Sequence, residues 1–114
     1  MTTADKVEQI YAYVQERCLW QFFSRSWDRQ ENLDGIFKTA TDLLTGKPPA
    51  LETPQDRVFY ADAKIMVADL KTRLPWLEEA GAAQIRDVME QAKARLVEIA
   101  ITRSLNHELN HTLY

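Results

Sequence analysis

All four prolines of this 114-residue chain fall between positions 48 and 75, and on both sides of them apolar residues recur at three- and four-residue spacing. Proline lacks a backbone donor and clashes with the preceding turn, so it ends a helix or opens one. Spacing of three and four is the signature of one helix face. Together these features predict an all-α chain cut into about four helices. The first spans roughly residues 3 to 19, with Val7, Ile10, Tyr11, Val14 and Cys18 on one face. The second runs from Ser26, a candidate N-cap, to Thr45, with Leu33, Ile36, Phe37, Ala40, Leu43 and Leu44 in its stripe. Gly46 followed by Pro48 and Pro49 stops it.

Thr53-Pro54-Gln55-Asp56 reads as a helix start, with Thr53 as cap, Pro54 at the first helical position and Asp56 at the positive end of the dipole. The third helix is expected to end near Leu74, because the residue before Pro75 is pushed out of helical geometry. This helix has two stripes. Phe59, Ala63, Met66, Leu70 and Leu74 form one, and Val58, Ala61, Ile65 and Ala68 form the other. A helix apolar on two sides lies between two layers, either both internal or one supplied by a partner. The fourth stripe holds Ile85, Val88, Met89, Ala92, Leu96 and Ile99. Val97, Ile99 and Ile101 alternate as a strand would, but the unbroken helical stripe favours helix. Residues 104 to 114 form a polar tail, either a short helix or a loose C-terminal arm. Four amphipathic helices with short connections predict a compact bundle comprising residues 1–114 as a single domain.

Composition narrows the function classes. The net charge is −3, where a nucleic-acid surface or one seeking anionic lipid would be basic. A single cysteine, Cys18, permits no intrachain disulfide and fits a reducing compartment. The polar start MTTADKVEQI lacks the apolar run of a signal peptide, and no stretch approaches the ~20 apolar residues that span a membrane. The expectation is a soluble, cytoplasmic protein.

The densest segment runs from Cys18 to Arg29 and holds Trp20, Phe22, Phe23 and Trp27, with Arg25 and Arg29 among them. If helical, its apolar side chains spread over about 200° at 3.6 residues per turn, twice the ~100° stripe of a surface helix. Core crossing and partner docking both explain such a segment. Tryptophan and arginine are enriched at interface hot spots, so Trp20, Phe22, Phe23, Arg25, Trp27 and Arg29 are the candidate interface residues.

Candidate chemistry is sparse. His107-Glu108-Leu109-Asn110-His111 matches the H-E-x-x-H pattern of zinc hydrolases. No histidine stands elsewhere to complete the site, and only three residues follow it. A solvated helix end is the simpler reading. Cys18 on an apolar face reads as packing. An iron–sulfur cluster wants about four thiolates, which this chain cannot supply alone. No catalytic, cofactor-binding or metal residue is therefore assigned.

The run Tyr13-Val14-Gln15-Glu16-Arg17-Cys18-Leu19-Trp20-Gln21-Phe22-Phe23-Ser24-Arg25-Ser26-Trp27-Asp28-Arg29 resembles the signature of alternative-nitrogenase delta chains. So do the ending from Ile101 to Tyr114 and the piece Asp56-Arg57-Val58-Phe59-Tyr60-Ala61-Asp62-Ala63 with Pro75-Trp76 after it. Phe22-Phe23, the short N-terminus and Leu109-Asn110-His111 look more like the vanadium–iron branch than the iron-only branch. His107 departs from the family pattern. The resemblance implies an accessory delta subunit that joins alpha and beta subunits in a hexamer of two copies each. The iron protein would act on that complex, an oxidoreductase reducing dinitrogen to ammonia. The iron–vanadium cofactor and the P-cluster would sit in alpha and beta, with none bound by this chain. Its own part would be docking and help with cofactor insertion or assembly. The alternatives are an iron-only delta subunit, a free-standing helical adaptor or cofactor chaperone, and, remotely, a small zinc hydrolase.

Overall fold

The computed structural model describes the backbone of residues 1–20 and 30–112, and the side chains of residues 1–17 and 32–98. Four α-helices make up the described architecture: α1 (Thr3–Trp20), α2 (Gln30–Leu44), α3 (Pro54–Arg73) and α4 (Ala82–Thr112). A short 3-10 turn, Pro75–Glu78, links α3 to α4. Helix α2 packs against both α3 and α4, and α1 packs against α4. Side-chain bonds between α1 and α3 close the bundle on its fourth side.

Local chemistry explains the boundaries. Thr2 and Asp5 form a reciprocal cap at the start of α1, each side chain accepting from the other's backbone N–H at 3.2 and 3.0 Å. Thr53 and Asp56 do the same for α3 at 3.0 and 3.1 Å. Helix α2 closes through Gly46 at φ 79°, a backbone region that side-chain-bearing residues rarely occupy. Lys47 N–H then donates to the Asp42 carbonyl at 2.8 Å, the long bond of a Schellman motif. Leu74 leaves helical geometry at φ −121° and ψ 84°, as the following proline requires. The proposed cap at Ser26 lies outside the described residues.

Val7, Ile10, Tyr11 and Val14 of α1 are buried with Leu33, Ile36, Phe37 and Ala40 of α2. Ala63, Met66 and Leu70 of α3 and Ile85, Val88, Met89, Ala92 and Leu96 of α4 join them in one cluster. Leu43, Leu44 and Phe59 pack at its edge. Gly35 in mid-α2 has a specific cause: a Cβ there would intrude on the Phe59 ring of α3. Of the two readings of the C-terminal tail the helix is the one seen, because α4 continues without a break through Thr112. The alternating 96–102 stretch is helical as well. At 31 residues α4 is about 46 Å long, against about 30 Å for the 20-residue α3. Among the described residues no helix is long and apolar enough to cross a membrane.

Candidate functional site

The two stripes of α3 meet different fates. At about 100° per residue, Met66 and Leu70 fall on one side of the helix and Val58, Ala61, Ile65 and Ala68 on the opposite side. The first side is core: Ala63, Met66 and Leu70 are fully covered. The second is covered by no described element, and Val58 and Ile65 are 47% and 46% exposed. Leu51, seven residues before Val58, is 44% exposed. Apart from the terminal Met1, these three are the large exposed hydrophobics among the described residues.

The borders of the bare stripe differ in charge. On one side stand Arg57, Lys64 and Lys71, all exposed and each seven residues from the next. None of the three forms an ion pair with another described residue, and Lys64 lies over the Tyr60 ring at 4.8 Å. On the other side are Asp62, which is buried, and Asp69. Asp69 is committed to α1: its Oδ2 accepts from the Tyr13 hydroxyl and from the Arg17 guanidinium, both at 2.6 Å. Burial, then the hydrogen bond to and charge of Asp69, push the Tyr13 phenol well above the ordinary tyrosine range. Arg73 adds an exposed pair to Glu16 at 3.0 Å. These contacts fix the outward angle of α3 by holding its opposite flank to α1.

Further links hold the linker turn and α4 to α1. Trp76 Nε1 donates to Gln9 Oε1 at 2.8 Å, and the Lys6 ammonium lies 5.1 Å from the Trp76 ring centre. Arg95 of α4 pairs with Glu8 and covers the Tyr11 ring at 3.9 Å.

The side chains of Trp20, Phe22, Phe23, Arg25, Trp27 and Arg29 lie outside the described residues, as do those of Cys18, His107, Glu108 and His111. The backbone of 107–111 is helical. Among the described residues no three His, Cys, Asp or Glu side chains gather as metal ligands do. The cation row at 57, 64 and 71 went unread in the sequence. Its signal was the seven-residue repeat beside the second stripe.

The fold and this surface define a small all-helical bundle with one bare apolar helix face. Residues 4–114 match the family model described as vanadium/alternative nitrogenase delta subunit. The chain is 38% identical over 109 residues to a protein named nitrogenase iron-iron protein delta chain from Clostridium pasteurianum, covering 96% of this chain and 94% of that one. A protein of the same name from Rhodospirillum rubrum is 38% identical over 110 residues, covering 96% and 95%. One from Azomonas macrocytogenes is 36% identical over 110 residues, covering 96% and 98%. The chain belongs to the vanadium/alternative nitrogenase delta-subunit family.

Proposed function

We propose that this chain is the accessory delta subunit of the component-1 protein of a vanadium nitrogenase, and that it works in the cytoplasm by docking on the alpha and beta subunits. The observation that carries the reading is the family match over residues 4–114. The bare face of α3 supports it, since a contiguous exposed apolar stripe marks a partner site. The complex holds two copies each of alpha, beta and delta, and the iron protein delivers electrons to it for dinitrogen reduction. The iron–vanadium cofactor and the P-cluster belong to the large subunits. This chain's single thiol falls short of the about four that an iron–sulfur cluster takes. Its contribution is positional: it assists cofactor insertion or assembly and performs no step of the chemistry itself. Trp20, Phe22, Phe23, Arg25, Trp27 and Arg29 are proposed as part of the docking surface.

A second reading has its own support, because the relatives named above are iron-iron delta chains. In that reading the same docking serves an iron-only enzyme. Phe22-Phe23 and Leu109-Asn110-His111 favour the vanadium branch. One experiment separates the possibilities. A tagged copy is isolated from nitrogen-fixing cells through a salt wash, and its companions and their metals are measured. Alpha and beta in equal amount, with vanadium beside iron, is the expected result. Iron without vanadium moves the chain to the iron-only branch. A tagged chain that returns without alpha and beta overturns the docking role.

A further inference from the structure

We infer that the outer face of α3 is a helix seat for one of the large subunits, and that its occupant is an amphipathic helix edged by a row of carboxylates. This inference rests on the docking role proposed above and adds the surface and the chemistry of its partner.

Val58, Ala61, Ile65 and Ala68 are spaced three, four and three residues apart, and Thr72 continues the column. That is the a/d spacing of a helix that packs lengthwise along another helix. Isolated surface hydrophobics are ordinary, but a seam in this register has a geometric use. Large and small residues alternate along it, so the partner's side chains can drop between Val58 and Ile65 over the alanines. Such packing favours the closer end of the 8–10 Å range of interaxial distances.

Charge selects the occupant. The whole chain is acidic, at −3, yet one edge of the seam carries three cations in a row at 57, 64 and 71. They have no described anionic partner. In a coiled-coil register these are the edge positions that set partner choice and orientation. A second copy of this chain fits poorly. Packed antiparallel, it would set one cation row against the other. Packed parallel, it would need Asp62 and Asp69 as counter-charges, but Asp62 is buried and Asp69 is held by Tyr13 and Arg17. A different chain bearing carboxylates at matching seven-residue intervals satisfies both the seam and its edge.

The test uses the full chain and the isolated alpha–beta assembly. Binding is measured for wild type, Ile65→Asp, and a triple variant Arg57→Gln, Lys64→Gln, Lys71→Gln, each at low and high salt. Circular dichroism melts check that folding is intact. Ile65→Asp should weaken binding at least about thirtyfold, as for a hot-spot residue, with its melt unchanged. The triple variant should associate about tenfold more slowly at low salt and lose most of the salt dependence that wild type shows. If wild type binds and both variants bind as well as wild type, the seat lies elsewhere, although the docking role stands. If wild type itself fails to bind, the docking role falls, and this inference with it. Dimerisation of the wild-type chain that Ile65→Asp abolishes, with alpha–beta binding unchanged, would assign the face to a second copy and overturn the proposal.

Discussion

Helices α2 and α3 lie against each other, yet they solve different problems. Helix α2 has one apolar stripe, and the core takes it: Leu33, Ile36, Phe37 and Ala40 are all buried. Helix α3 has two stripes of similar length, and the core takes one. Periodicity reports that a helix has a face to hide. It does not report which molecule hides it. On α2 the two questions share one answer, because the bundle has room for a single face. On α3 the second face, with Val58 and Ile65, stays exposed.

The largest expected effect contrasts the two sides of α3. Leu70 is fully buried, so Leu70→Ala should cost ~2–5 kcal/mol, the range for a truncated core leucine. Ile65→Ala on the bare side should change stability by no more than about 0.5 kcal/mol, as for a surface site. Urea unfolding of both variants checks the contrast. A loss for Leu70→Ala below roughly 1 kcal/mol would break it.

Next comes the contact that lets α2 and α3 approach. Gly35→Ala improves helix propensity by about 0.5–1 kcal/mol but drives a methyl group into the Phe59 ring. Overpacking of this kind costs about 1–3 kcal/mol, so the net change should be a loss of about 1–2 kcal/mol. Phe59→Leu in the same chain should recover part of it, as a double-mutant cycle would show.

Tyr13→Phe should cost about 0.5–1.5 kcal/mol at neutral pH through its lost hydrogen bond to Asp69. It should also change the alkaline limb. The folded chain holds the Tyr13 proton more tightly than the unfolded chain does. Its contribution is therefore complete below the ordinary tyrosine value near 10 and declines as pH rises above it. The variant should lose stability less steeply above about pH 10. Equal slopes in chemical-denaturation series would contradict the placement of this phenol.

Thr53→Ala should cost ~1 kcal/mol, because it removes the side-chain cap of α3. The Asp56 carboxyl is held below its usual value by the Thr53 backbone N–H. That contribution is present above about pH 4 and fades as pH falls through the lowered value. The loss on Thr53→Ala should persist unchanged from neutral pH through the tyrosine range, because the backbone N–H that holds Asp56 stays in place; chemical denaturation at about pH 7 and about pH 10 checks this.

Much of the fold was legible because its signals are local. Gly46, Pro54 and Pro75 act through their own backbone geometry, and the described helix ends fall within a residue or two of where they point. The core side of α1, α2 and α4 followed from spacing alone. What was not legible depends on distant partners. Tyr13 reads as an off-stripe aromatic until Asp69, 56 residues away, supplies its bond. Gly35 reads as a weak point in a helix until the Phe59 ring explains it. The tail reads as either a short helix or a loose arm, and continuity with α4 makes it helical through Thr112. For the docking surface, the second stripe of α3 was visible as a pattern. Its exposure was not, since burial depends on which elements pack where. The aromatic segment is the converse: conspicuous in composition, with side chains outside the described residues.

If the bare side of α3 belongs to another protein, binding of that protein must depend on Ile65. The most direct measurement is the melting temperature of wild type and Ile65→Asp, each alone and with excess alpha–beta assembly. A partner that binds only the folded chain raises its melting temperature, by an amount that grows with the logarithm of partner concentration over Kd. The two isolated chains should melt equally, and adding alpha–beta should raise the melting temperature of wild type but not of Ile65→Asp. Equal rises for both chains, or an isolated Ile65→Asp that melts as low as a core variant, would contradict this assignment of the bare side.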